Sequence, residues 1–173
     1  MIEAAILVVF PFAMVHAAVS DMLSMTIINR VSLVLVGTFA LVAPFTGMDM
    51  HQLLLHVAAF ALVLSVCFAL FAAGAMGGGD AKLLAATSLW FGLGFNLMEY
   101  LLISSVIGGA LTLGILAYRK SPVAVVAGQV DFLRRLADPK EKIPYGIALG
   151  IGGLSVFPDS WMAQWVIQRL AGV

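Results

Sequence analysis

Charge is what this chain has least of. Of its 173 residues only 10% are Asp, Glu, Lys or Arg, and they balance to a formal net charge of zero. A soluble domain carries about 25% charged residues, so a water-facing surface of ordinary size cannot be built from this composition. The lack of a net positive charge, and of any basic patch interleaved with aromatics, also removes nucleic acid as a partner. Cysteine is nearly absent too. Cys67 stands alone inside an apolar stretch, which excludes an internal disulfide and a cysteine-based metal site. His16, His51 and His56 are scattered, and the step from 51 to 56 is not the i, i+4 of a helical zinc pair. Neither a metal nor another cofactor is expected. The first residues lack the basic stretch and small-residue cleavage pattern of a signal peptide, Glu3 being their only charge, so the first apolar run is expected to stay as a membrane helix.

What is abundant is apolar surface: 62% hydrophobic residues and a mean hydropathy of +1.09. This composition predicts an integral membrane protein, an all-α polytopic helix bundle, with residues 1–173 forming one membrane-embedded domain. About six transmembrane helices are expected. The first covers residues 2–20 and ends at Ser20-Asp21; a polar hinge from Ser24 to Arg30 leads to a second over 31–45, stopped by Pro44 and the Gly47-Met48-Asp49 turn. Residues 51–75 make the third and longest. The run from Leu83 to Tyr118 would be about 54 Å long as one helix, too long for about 30 Å of hydrocarbon. It is therefore divided into spans four and five, with a turn near Gly94 to Glu99. Ile143-Pro144-Tyr145-Gly146 opens a sixth span that runs to about Phe157, and Trp161 and Trp165 follow at the spacing of an interfacial anchor.

Residues 119–142 are the one substantial aqueous loop, holding nine charged side chains from Arg119 to Lys142. Val126, Val130, Leu133 and Ala137 recur there at helical spacing, which allows either a short amphipathic helix on the membrane surface or a solvated loop. With six spans, eight of the nine lysines and arginines fall on one side and only Arg169 on the other. The positive-inside rule then places the first hinge, the glycine-rich break at 77–79 and the large loop in the cytoplasm, with both termini outside.

Asp21 and Asp80 consequently lie on the same face, each beside an apolar run. Ionisable groups at membrane depth are costly and usually functional. Two carboxylates brought close cannot both ionise cheaply, so one keeps a proton while the other acts as a base. Such a pair can polarise a peptide carbonyl and deprotonate a water, the acid–base arrangement of an aspartic protease. Gly77, Gly78 and Gly79 precede Asp80 and, without side chains, can admit φ > 0 and let a substrate backbone come close; a flexible turn or close helix packing is the other reading. Lys82 is read as a tuning or substrate-contacting residue or a membrane-edge anchor, and Asn29 as a hinge hydrogen bond or a helix cap. A small proton- or cation-coupled transporter using the same two aspartates is the alternative these residues leave open.

The stretch Gly77-Gly78-Gly79-Asp80-Ala81-Lys82-Leu83 resembles the second motif of the type IV prepilin peptidases, membrane GxGD aspartic proteases. Asp21 followed by Ile27-Ile28-Asn29-Arg30 resembles their first motif, with Ile28 where the family carries proline, and Lys140 to Gly150 is similar to the start of their last span. The resemblance implies catalytic Asp21 and Asp80, supported by Gly77, Gly78, Gly79, Lys82 and Asn29, without a metal. It also implies a pilin or pseudopilin precursor as substrate, with a cytoplasmic leader and an apolar helix, cut at the inner face of a bacterial cytoplasmic membrane. The extra segment with paired CxxC motifs found in long members is not seen after the first span. The chain is thus similar to the short form of Flp-type (tight-adherence) pilus systems, and methylation is not expected.

Overall fold

The computed structural model describes residues 1–122, 131–139 and 141–172, and all regular structure among them is helical. The described α-helices are α1 (Ile2–Ser24), α2 (Asn29–Val42), α3 (Met50–Ala72), α4 (Gly78–Phe91), α5 (Phe95–Arg119), α6 (Asp131–Ala137), α7 (Gly146–Val156) and α8 (Trp161–Ala171). Single 3-10 turns at Ala43–Phe45 and Phe157–Asp159 continue α2 and α7. The protein is an all-α membrane helix bundle. Among the described residues, α1, α3 and α5 have the length and apolarity to cross a membrane, whereas Asn29–Phe45 and Gly146–Asp159 are shorter apolar segments. The six expected spans thus correspond to helices of unequal length. One of the shorter ones, α4, is 14 residues or about 21 Å long.

Several expected boundaries move, each for a local reason. α1 runs on past Asp21 to Ser24, because Met25 adopts a left-handed conformation (φ 54°) and its N–H closes the last turn on the Asp21 carbonyl. The polar hinge shrinks to residues 25–28. The turn between α4 and α5 lies at Gly92 to Gly94, not Gly94 to Glu99: Gly92 has φ 69°, a conformation side chains resist, and Asn96 and Glu99 already belong to α5. Gly78 and Gly79 are the first residues of α4, so the glycine-rich break is largely helix. In the large loop Leu133 and Ala137 lie in the short helix α6, while Val126, Val130 and Lys140 lie outside the described residues.

α4 is the centre of the bundle. Every residue from Leu83 to Phe91 is buried, beneath α2, α3, α5, α7 and α8. The densest packing is aromatic. Phe10 of α1 stacks on Phe157 with centroids 4.4 Å apart and meets Trp90 at 5.0 Å and Phe91 at 5.8 Å. Trp90 puts its polar edge to use, its Nε1–H donating to the Leu35 carbonyl of α2 at 3.1 Å. The far end is closed by polar contacts: Asp49 and Gln52 form a capping box at the start of α3, Asn96 donates to the Asp159 carbonyl at 2.7 Å, and Arg169 pairs with Glu3 at 3.0 Å. Trp165 lies under Arg169 and Trp161 is exposed beside it on α8.

α1 and α7 pack along a seam of glycines. A Cβ at Gly153 would fall 2.5 Å from Met14 Cε, and one at Gly150 would fall 2.9 Å from Ala18 Cβ and 3.0 Å from the Met14 carbonyl. One at Gly146 would sit 2.8 Å from Asp21 Cβ. As α7 advances through these glycines its partners on α1 run backwards, from Asp21 through Ala18 to Met14, so the two helices are antiparallel. Glycines spaced four and three residues apart let α1 approach the α7 backbone closely.

Truncating the aromatic keystone should be costly: Phe10→Ala is expected to lower stability by about 3–5 kcal/mol. Phe12→Ala, on the outward face, should change it by less than about 0.5 kcal/mol. Equilibrium unfolding in detergent distinguishes the two; similar losses would mean that Phe10 is not a packing centre.

Candidate active site

The glycine seam ends on a hydrogen bond. Gly146 is the first residue of α7, where backbone N–H groups have no partner within the helix, and its N–H donates to Asp21 Oδ2 at 2.6 Å. A carboxylate beside a helix N-terminus is also favoured by the peptide dipoles. Asp21 itself is 5% exposed, in the last turn of α1.

Asp80 reaches the same end of the bundle from α4, in the first turn and half-buried. Gly77, Gly78 and Gly79 place it by having no side chains, and none of the three has a positive φ. The reading in which they use left-handed backbone freedom is therefore corrected. A Cβ at Gly77 would lie 2.5 Å from Asp80 Oδ2, one at Gly78 3.2 Å from the Phe71 ring, and one at Gly79 3.1 Å from Ile27 Cβ. The glycines leave room for the carboxylate on one side and for tight packing of α4 on the other.

Ile27 joins the two halves. It is buried in the short hinge, packs against Gly79 next to Asp80, and brings its Cδ1 to where a Cβ on Gly146 would be. Across this wedge the Asp21 charge acts on Asp80, and the Lys142 ammonium acts on both carboxylates. Asp80 faces a cavity of about 1000 Å³ whose rim includes Arg119, Glu141, Lys142 and Tyr145; Asp21 is not among its lining residues. Arg119 fixes the rim, donating from Nε to the Leu136 carbonyl at 2.8 Å and from Nη2 to the Glu141 carbonyl at 2.9 Å. Arg135 donates to the Leu23 carbonyl at 2.9 Å, tying α6 to the end of α1.

Lys82 and Asn29 are brought together, but with each other. Lys82 Nζ donates to Asn29 Oδ1 at 3.0 Å on the exposed surface, linking the starts of α4 and α2. The structure shows no contact of either with a carboxylate among the described residues. Residues that the sequence placed in motifs or at a span start without a part in the site are more central: the Gly146 N–H, Ile27, Lys142, and Tyr145, whose ring fills the space a Cβ on Gly108 would need. The spacing of Gly146, Gly150 and Gly153 is a readable signal of close helix packing, though not of the helix they face. His56, buried, hydrogen-bonds the Leu89 carbonyl at 2.7 Å and stacks on Phe39. No group of three His, Cys, Asp or Glu side chains able to hold a metal occurs among the described residues.

A sequence model of the type IV leader peptidase family matches residues 8–113. The chain belongs to that family. No curated protein and no solved structure gives a significant match. The protein is accordingly a membrane peptidase of the type IV leader peptidase family, with Asp21, Asn29, Gly77 to Asp80 and Lys82 all inside the matched region. α7 lies beyond that region, so the bond from Gly146 to Asp21 is known from the structure and not from the family match.

The bond makes a stability prediction for this family member. Asp21→Ala leaves the buried Gly146 N–H without its acceptor and should cost about 1–3 kcal/mol. Asp21→Asn keeps an oxygen acceptor and should cost less. Thermal unfolding of the two variants in detergent checks the order; equal stability would remove the bond from the account.

Proposed function

We propose that Asp21 and Asp80 are the catalytic pair of an aspartic prepilin leader peptidase. The observation that carries this reading is their convergence: carboxylates 59 positions apart in the chain stand on the two sides of Ile27, Asp21 against Gly146 and Asp80 next to Gly79, at one end of the bundle, with Asp80 facing a cavity. The substrate would be a pilin or pseudopilin precursor whose leader precedes an apolar helix. The short hinge of residues 25–28 between α1 and α2 supports the Flp-type short form over the form with an inserted segment.

The pair works with one shared proton, and its titration belongs to both groups together. The protonated carboxyl donates a hydrogen bond to the scissile carbonyl oxygen while the ionised one takes a proton from water, whose oxygen bonds to the carbonyl carbon. The tetrahedral adduct then collapses. The C–N bond breaks, the leaving nitrogen receives a proton from the pair, and the new carboxyl end departs without a covalent link to the enzyme. The fixed Gly146 N–H holds Asp21 in place through this cycle, as a preorganised donor should. Arg30, Lys82, Arg119, Lys120, Arg134, Arg135 and Lys142 all belong to the segments at this end, which supports a cytoplasmic site in the inner membrane by the positive-inside rule.

Purified protein incubated in lipid with a leader-bearing precursor should convert it to a smaller product. Asp80→Asn and Asp21→Asn should each lower the rate by about 10²–10⁴-fold, the usual scale for a lost acid–base group, while the protein still inserts and unfolds cooperatively. Full processing by both single variants would sink the pair.

A further inference from the structure

The cavity at Asp80 does not end there. Its walls continue along α3 through Phe71, Leu70, Val66 and Leu62, and along α5 from Arg119 to Leu101. On α5 that stretch is about 27 Å long at 1.5 Å per residue, close to the thickness of a bilayer's hydrocarbon. α3 packs on α4 and α5 packs on α7, so the space between α3 and α5 is a groove floored by Leu84 and Leu149. It opens sideways: Leu62, Val66 and Leu70 are 55%, 53% and 43% exposed, and Ser105 is exposed opposite them.

Polarity along the groove is graded. Among the described residues, all the charged side chains in its wall, Asp80, Arg119, Glu141 and Lys142, belong to one end, where the Arg119 guanidinium grips the Glu141 carbonyl. Among the described residues the remainder is apolar apart from Tyr145 at the rim and small hydroxyls on α5, Ser104, Ser105 and Thr112. Ser104 is 2% exposed, and its Oγ has no hydrogen-bond partner among the described residues. Ser104 lies against Gly152 of α7, its Oγ filling the space a Cβ there would need, close to the Tyr100 hydroxyl, while Thr112 Oγ1 donates to the Gly108 carbonyl at 2.7 Å. Small residues on a membrane helix allow another helix to approach its backbone, and Ser105, small and exposed in the apolar wall, leaves that approach open.

We infer that the groove between α3 and α5 is the docking surface for the apolar helix of the precursor, entered sideways from the bilayer. This rests on the peptidase reading above. The match is one of polarity: the occupant must be apolar for most of a membrane thickness and polar at the end that meets Asp80, Arg119 and Lys142, which describes a leader joined to a membrane helix. With the helix against Ser105 and Thr112, the peptide bond at its polar end lies beside Asp80. A lipid chain filling the groove is the competing occupant, and it predicts no helix contact there.

The test uses full-length protein in lipid and a precursor carrying a photoreactive benzophenone residue in its apolar helix. Cross-linking to the Asp80→Asn variant, which holds substrate without cutting it, should label Val66, Leu70, Ser105 or Thr112 and spare Leu33 and Leu113. In parallel, Ser105→Trp should raise the KM for cleavage at least tenfold with kcat changed less than twofold. Leu113→Trp, on the outward face of α5, should change neither. If the precursor is cut but labels outward faces, or if Ser105→Trp leaves KM unchanged, the groove proposal falls while the peptidase reading stands. Labelling of the groove without cleavage by the wild type supports the groove and overturns the peptidase reading. Neither cleavage nor labelling overturns both.

Discussion

The contact on which the candidate site depends is the bond from the Gly146 N–H to Asp21. A carboxylate in the last turn of a long apolar helix is a poor choice for burial, since an unpaired buried charge is costly. It is tolerated because α7 begins at the right level and offers a backbone N–H with no other partner. That level is set by the glycine seam. Gly150 and Gly153 hold α1 at close range against Ala18 and Met14, and the register they impose delivers Asp21 to the first turn of α7. A side chain at any of the three glycines would push α1 outward, and Asp21 would be first to lose its donor.

The same constraint reaches Asp80 through Ile27. The hinge is only four residues long, so Ile27 has one place to go, into the angle between Gly79 and Gly146. There it packs as an apolar wedge between the segments that carry the two carboxylates, with the Asp21 charge still acting on Asp80. Asp21 has no face on the cavity and Asp80 does, an asymmetry that leaves Asp80 as the group a ligand meets first. Tyr145 and Lys142 complete the rim from the segment leading into α7, so one stretch of chain both holds Asp21 and frames Asp80.

Much of this is legible in the sequence, and the misses have physical reasons. Apolar runs, their lengths and the breaks at Gly47 and Gly77 mark the successive helices and their order, because in a membrane protein hydropathy is nearly the whole signal. Boundaries are harder. Hydropathy ends α1 at Asp21, but helices end where backbone partners run out, and α7 supplies the Asp21 side chain with its partner from 125 positions away. Asn96 and Glu99 draw the expected α4–α5 turn too far along, while the residue that needs to be glycine is Gly92, at φ 69°. Gly77 to Gly79 suggest either backbone freedom or close packing, and the structure uses the second. Lys82 and Asn29 both belong to motifs that point to the carboxylates, and neither composition nor spacing shows two surface residues choosing each other. What the linear pattern lacks is the identity of the facing helix, which is what brings the Gly146 N–H to Asp21 and Lys82 to Asn29.

The shortness of α4 fixes the height of the site. α3 has 23 residues, about 35 Å, and α4 has 14, about 21 Å. The two run antiparallel, with Gly78 against Phe71 near the end of α3 and Gly92 against His56, a level also marked by the bond from the Leu93 N–H to the Leu55 carbonyl. The missing length therefore falls at the far end, where α3 overshoots by residues 50–55. There Trp161 of α8 comes near His56 and Gly92 and lines a small cavity with them. At the other end α4 starts level with the end of α3, and Asp80 stands in its first turn. A helix long enough to span hydrocarbon thus carries its neighbour's carboxylate to the boundary between apolar and aqueous chain. Lengthening α4 at its start would lift Asp80 out of the groove, and shortening it would sink the carboxylate below the reach of water, so the pairing of a long α3 with a short, recessed α4 is what keeps the proposed chemistry at the membrane edge.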